Sequence, residues 1–235
     1  MTWFAPLLVA LAVAGADLPT TRGMHQLQAE IPGAGKVLYA VSVPEGYNPN
    51  TPAPLVLVLH PGGQRMAYYG AEFARRIAEP ALRQLKPILI APDCPERAWS
   101  DAACDTAAMA LIAAAMQAYN IDRQRVLVVG YSMGGRGAWH MASAHTDVFT
   151  AAIPMAASTR GIDINLLGRQ PTYVIHSRED EVVPFEPAEE NARALRALKR
   201  DVEFEAVDDL THFDMISYVS ALQRAGRWVA GRWNR

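Results

Sequence analysis

The stretch VLVVGYSMGGRGAW, Val126 to Trp139, decides how the chain is read. An apolar run stops at Gly130. A serine follows two residues later between further glycines, and a helix-like pattern begins at once. A continuous apolar run fits a strand buried on both faces, as in a parallel sheet. Gly130, Tyr131, Ser132, Met133 and Gly134 fit G-x-S-x-G, the pattern of a sharp strand-to-helix turn. The glycines permit a bend that a Cβ would block, and the bend lifts the Ser132 hydroxyl above the sheet edge. At a helix amino terminus, backbone N–H groups and the helix dipole favour a developing negative charge. The alternative for these residues is a bare tight turn.

Working outward, LVLVLH (Leu55–His60), ILIAP (Ile88–Pro92), AAIPMA (Ala151–Ala156) and PTYVIHS (Pro171–Ser177) are further apolar runs, and VEFEAVD (Val202–Asp208) alternates. Helical stretches are expected over Glu72–Leu85, with Pro80 breaking or restarting it, Asp101–Tyr119, Met133–Ala144, Ala188–Lys199 and Asp214–Val229. Strands alternating with helices imply an α/β domain with a mainly parallel sheet covered on both faces. HQLQAE (His25–Glu30) and KVLYAVSVP (Lys36–Pro44) flank IPGAG and read as an antiparallel hairpin leading into it. About eight strands result, with no room for a cap domain.

The 235 residues are 51% hydrophobic and 20% charged, with a formal net charge of −2. No strong field favours nucleic acid. Trp3 to Ala16 is apolar, and AGAD (Ala14–Asp17) offers small residues for cleavage after Ala16. Residues 1–16 therefore read as an export leader and 17–235 as one domain, which points to a secreted or periplasmic protein. Fourteen apolar residues fall short of the roughly 20 that span a bilayer, so no stable membrane span is expected. Cys94 and Cys104 share one loop-like stretch, and an oxidising compartment would favour a bridge between them over two free thiols. No second Cys or His pair lies nearby to suggest zinc, and no metal or organic cofactor is implied.

Ligands of such sheets sit beyond the carboxyl ends of the strands. There the chain places HPGGQ, DCPERAW, GYSMGG, HSREDEVVP and DDLTHF. A serine hydroxyl is a poor nucleophile unless a base takes its proton, and on such a sheet its partners follow in the order acid, then histidine. Of six histidines, only His212 lies beyond a late acid and in a loop after the last strand. His140 and His145 fall on the helix behind Ser132 and read as core edge or surface; His176 reads as structural. Asp180 is preferred over Glu179 and Glu181, which flank it, because a shorter side chain suits a rigid loop; Asp163 is the main rival, and Asp208 and Asp209 lie too close in sequence to His212. The oxyanion donors expected are the backbone N–H of Met133 and that of Gly62 or Gly63, since Pro61 has none. Tyr68, Tyr69, Trp99 and Met133 are candidate cleft walls, with ordinary core or surface packing as the alternative, above all for the tyrosines. Arg65 and Arg136, close to the motif loops, read as surface residues, with a grip on a substrate carboxylate as the alternative. Trp139 reads as core.

With these motifs placed, the chain resembles the α/β-hydrolase superfamily over nearly all of its mature length. It is most similar to small secreted esterases of the polyhydroxybutyrate-depolymerase-like and feruloyl-esterase-like groups, and to predicted peptidases related to prolyl oligopeptidase. LVLVLHPGGQ, APDCPERAW, YNIDRQRVLVVGYSMGGRGAW, FTAAIPMAAS and HSREDEVVPF carry the likeness. DEVVP resembles the family's acid loop, with Asp180 at the acid position, and THF its histidine loop, with His212. The chain departs from the family in having His60-Pro61 for the usual His-Gly, and His176-Ser177 where the acid strand often ends in His-Gly. The resemblance implies acyl transfer to water through an acyl-Ser132 intermediate, with His212 as base and then acid. A short ester, or one presented by a polymer, is the expected substrate. A peptidase using the same groups and a non-catalytic binding protein on the same fold are the alternatives.

Overall fold

The computed structural model describes residues 18–63 and 66–234. The expected leader, 1–16, and Arg65 lie outside the described residues. Eight strands form one sheet: β1 (Gly23–Ile31), β2 (Gly35–Val43), β3 (Ala53–Leu59), β4 (Ile88–Pro92), β5 (Ile121–Tyr131), β6 (Ala151–Met155), β7 (Thr172–Ser177) and β8 (Val202–Val207). Their spatial order is β1-β2-β4-β3-β5-β6-β7-β8. The first two strands pair antiparallel, β2 pairs antiparallel with β4, and every pairing beyond is parallel.

The period of two in β3 and β5 sorts side chains onto two faces. Leu55, Leu57, Leu59, Val126 and Val128 enter one core, under α3 (Ala102–Ala118) and α4 (Met133–Ala144). Val56, Val58, Leu127, Val129 and Tyr131 enter the other, under α1 (Tyr69–Phe73), α2 (Glu79–Leu82) and α6 (Val219–Trp233). A third cluster joins Trp139 and Val174 to Ala192 and Leu195 of α5 (Phe185–Ala197). Trp139 is core, as its place two turns into α4 suggests.

Pro80 restarts its helix rather than ending it. The chain stays helical from Tyr69 to Leu85, but a π turn over Ala74–Ala78 precedes α2, in which Pro80 takes an early position. A missing N–H is tolerated in the first turn. Between β6 and β7 the chain forms a single 3-10 turn, Ile164–Leu166. Among the described residues no helical insertion covers the carboxyl edge of the sheet.

Candidate functional site

Strand β5 ends at Tyr131, and α4 begins at Met133. The one residue between them, Ser132, has φ 53° and ψ −113°. Such a conformation costs a non-glycine residue roughly 1–3 kcal/mol and persists only where its surroundings enforce it. Here they do. The Ser132 N–H donates to Met155 O (2.9 Å), and Ser132 O accepts from Arg136 N–H (2.9 Å). A Cβ on Gly134 would lie 2.0 Å from Leu59 O, and one on Gly130 would lie 2.1 Å from Gly134 O. No side chain fits at either position, so the backbones close tightly around the serine.

The imidazole of His212 reaches this serine from the loop after β8. Its Nδ1–H donates to Asp180 Oδ2 (2.8 Å) and Oδ1 (3.0 Å), and its Nε2 lies 2.9 Å from Ser132 Oγ. A carboxylate only accepts, so the proton sits on Nδ1 and Nε2 is left to accept from the serine hydroxyl. Asp180 and His212 are each 7% exposed. Asp180 Oδ1 also accepts the N–H groups of Val182 and Val183, which fixes the carboxylate. Ser132, Asp180 and His212 are thus brought into one hydrogen-bonded line. Asp163 is not part of it; its carboxylate accepts from Asn165 N–H at the start of its own 3-10 turn. Asp208 pairs with Arg178, and Asp209 takes a left-handed backbone at φ 59°.

Four side chains hold the histidine loop; the sequence marks Glu179 and Glu181 only as the acids flanking Asp180 and Ser177 only as a departure, and gives no sign of the role of Tyr131. Tyr131 O–H donates to His212 O (2.8 Å), and Glu181 accepts His212 N–H (3.0 Å). Ser177 O–H donates to Leu210 O (2.6 Å), and Glu179 accepts Asp209 N–H. Ser177, one of the two departures from the family pattern, is thereby given a structural task. His176 is fully buried behind the acid; it donates from Nε2 to Val183 O, and burial pushes its imidazole below the ordinary value.

Across from the serine, Gly62 packs beside Met133: a Cβ on Gly62 would lie 3.6 Å from Met133 Cβ. Met133 is the first residue of α4, so its N–H has no intrahelical acceptor. A cleft of about 520 Å³ opens beside Gly62 and Met133; of the serine turn it touches Met133, and neither Ser132 nor His212 lines it. Its walls include Met66, Tyr69, Met133 and Leu38, and its rim includes Lys36 and Arg97. Two cleft-wall candidates, Trp99 and Tyr68, are corrected here, and Arg136 takes no part in the cleft. Trp99 is 1% exposed and forms no cleft wall; its Nε1–H donates to His60 O beneath the loop. Tyr68 does not line the cleft; it is partly buried against the core under α1, on a left-handed backbone at φ 60°. The guanidinium of Arg136 is occupied by Ser158 O and Arg160 O, so it braces a neighbouring loop. On the histidine side, the Phe213 ring (74% exposed) meets the His212 ring edge-on, and Val182 is also exposed.

Cys94 and Cys104 are joined in a disulfide. The loop histidine His60 is buried and bonded at both ring nitrogens, to Pro61 O (2.7 Å) and to Cys94 N–H (3.0 Å). Burial pushes its pKa down to about 4 against the opposing pull of the Pro61 carbonyl. His140 and His145 converge on Asp105 in the first turn of α3. Among the described residues no cluster of His, Cys, Asp and Glu could hold a metal ion.

The model of the dienelactone hydrolase family matches residues 68–215. Among solved structures, the chain is similar to a thermostable esterase (TM-score 0.75, 25% identity), covering 88% of this chain and 62% of that one. The chain therefore spans less than two thirds of that esterase. It is also similar to a ferulic acid esterase (TM-score 0.71, 19% identity, 88% and 97% covered). A third likeness is to a lidless serine hydrolase from Xanthomonas campestris (TM-score 0.68, 20% identity, 90% and 96% covered). At these identities the last two show the α/β-hydrolase fold. No curated protein sequence matches the chain.

Proposed function

The chain belongs to the dienelactone hydrolase family, and on that footing we propose that it is a serine carboxylic ester hydrolase working through an acyl-Ser132 intermediate. The observation that carries this reading is the line Asp180–His212–Ser132, with the serine held at φ 53° over a helix amino terminus. Ser132 Oγ attacks the ester carbonyl carbon while His212 Nε2 takes the hydroxyl proton. Asp180 holds the tautomer and stabilises the imidazolium that forms. The carbonyl oxygen becomes an oxyanion against Met133 N–H and an N–H of the Gly62–Gly63 segment. Collapse breaks the bond to the alcohol, which receives its proton from His212. Water, deprotonated by His212, then releases the acid and restores Ser132.

The absence of a helical insertion over the site, among the described residues, supports an open cleft. With about 520 Å³ it suits a short acyl group, and the exposed Phe213 and Val182 suit an ester presented on a polymer. The disulfide supports an oxidising compartment, so we place the protein outside the cytoplasm.

The test is turnover of p-nitrophenyl acetate and butyrate beside peptide p-nitroanilides, by the native protein and by Ser132→Ala. Esters are hydrolysed and amides are not, and Ser132→Ala lowers kcat by about 10⁴-fold or more. Ester turnover that survives the substitution removes the nucleophile assignment. Amide turnover at rates matching the esters would make it a peptidase, and a folded native protein inert to every acyl substrate would leave a binding protein.

A further inference from the structure

His60 stands in the place before Pro61 where the sequence departs from its relatives, and both its ring nitrogens are committed. Its Nδ1 lies 2.7 Å from Pro61 O, an atom that only accepts, so Nδ1 carries the proton. Nε2 is then a lone pair, and it accepts Cys94 N–H at 3.0 Å. The ring is wedged between Tyr69 (centroids 4.8 Å apart) and Trp99 (5.1 Å). Trp99 in turn donates to His60 O. Cys94 is anchored by its bridge to Cys104 at the start of α3.

The atom that His60 grips matters because of what shares its plane. Pro61 C=O and Gly62 N–H belong to one peptide unit, and no peptide bond among the described residues is cis. In a trans unit the carbonyl and the N–H point in opposite directions. Pinning Pro61 O therefore aims Gly62 N–H. The proline ring fixes φ near −65°, leaving rotation about ψ as the single soft torsion of that plane. One hydrogen bond suffices to hold it. A Cβ on Gly62 would meet the Met133 side chain, whereas one on Gly63, at φ 135°, would meet the Tyr69 hydroxyl at 3.9 Å, so Gly62 is the glycine beside Met133.

We infer that His60 is a positioning residue that sets Gly62 N–H, rather than Gly63 N–H, as the second oxyanion donor beside Met133 N–H. The inference rests on the acyl-transfer reading above. It also gives Pro61 a role: a residue that cannot donate stiffens the loop so that its neighbour can.

Two substitutions separate positioning from space-filling. The amide of His60→Asn can put an N–H where Nδ1–H was, while that of His60→Gln reaches only the Nε2 position. With p-nitrophenyl butyrate, His60→Gln lowers kcat by about 10- to 100-fold with KM unchanged, below the full loss of a donor. His60→Asn recovers most of that loss. Affinity for a phenylboronic acid, whose adduct on Ser132 places an oxygen in the oxyanion position, falls in step with kcat. Equal losses in the two variants, or boronate affinity that stays at the native value in His60→Gln, overturn the inference. If His60→Gln does not fold, Pro61→Gly carries the test. It frees φ, and kcat and boronate affinity are expected to fall severalfold; unchanged values overturn the inference. Native protein that hydrolyses no ester and binds no boronate would instead bring down the acyl-transfer reading. The Nδ1–H tautomer of His60, read by nitrogen NMR at neutral pH, remains a separate check, and the opposite tautomer refutes the positioning role.

Discussion

The two walls of the cleft are built by different means. The serine wall, Gly130 to Gly137, is made by backbone packed on backbone: Gly134 lies where even a methyl group would overlap Leu59 O, and Ser132 is held by main-chain bonds to Met155 and Arg136. The opposite wall, His60 to Gly63, is made by side chains. His60, Trp99 and the Cys94–Cys104 bridge shape it from below. Steric exclusion leaves the first wall one conformation. The second is held by a few hydrogen bonds, so it can be weakened by degrees.

The largest effect expected from that contrast is at Gly134. Replacing it by Ala puts a Cβ 2.0 Å from a backbone oxygen of β3, and only movement of β3 or α4 relieves it. Overpacking of this kind costs about 1–3 kcal/mol or more. A displacement near 1 Å at the nucleophile costs about 100-fold in rate. Gly134→Ala should thus lose at least about 100-fold in kcat/KM, measured beside thermal unfolding. Near-native activity would show that the serine wall yields as readily as the other.

Next comes the bridge under the second wall. Removing it as the pair Cys94→Ala and Cys104→Ala opens a loop of sequence separation 10. A loop of this size contributes ~2–3 kcal/mol in the chain-entropy model. In a domain of this length that lowers Tm by about 5–10 °C. Because Cys94 N–H is the donor to His60, kcat should also fall severalfold while KM holds, read in the same ester assay. A Tm loss with kcat untouched would separate the bridge from the site.

The two walls were also unequally legible in the sequence. The serine wall is local: strand, turn and helix follow one another within 14 residues, and the glycine spacing states its own steric demand. The sheet was legible for the same reason, since runs such as LVLVLH and RVLVVG report burial on both faces. The second wall joins residues 60, 94, 99 and 104, and no local pattern ties a histidine to a carbonyl beside it or a tryptophan to a histidine 39 residues away. On that account the sequence leaves Trp99 open between cleft wall and core. Its place in the chain, just past β4, is the same whether the ring points into the cleft or under it, and only packing decides. The holders of the histidine loop, Tyr131, Ser177, Glu179 and Glu181, were hidden likewise, although Ser177 in place of a usual glycine was a signal.

The third effect is one of pH on stability. His60 is held neutral by burial, with its pKa pushed from about 6.5 in the unfolded chain to about 4. Between these values the unfolded chain binds a proton that the native one refuses, so native stability is full above pH 6.5 and declines as pH falls toward 4. The contribution is on the order of 3 kcal/mol at most. His176, also lowered by burial, adds to the same decline. In His60→Asn the decline between pH 6.5 and 4 should be visibly shallower than in the native protein, followed by urea unfolding at each pH. Parallel curves would mean that His60 is not buried neutral.

The smallest effect belongs to the other pairing of histidine with aspartate. His140 and His145 both reach Asp105, at 2.7 and 3.0 Å, much as His212 reaches Asp180. Burial alone would raise the Asp105 carboxyl, yet the hydrogen bonds from His140 and His145 hold it well below the usual carboxylate range. Its contribution to stability is therefore present above pH ~4 and lost as pH falls further. This cluster ties α3 to the end of α4, and each imidazole bonds to a carboxylate through Nε2, the atom that in His212 faces a hydroxyl. His140→Ala should cost about 1 kcal/mol of stability and leave kcat on esters at the native value. A kcat loss there would mean that α4 carries the serine less rigidly than its glycine packing implies, and that the first wall too depends on side chains at its far end.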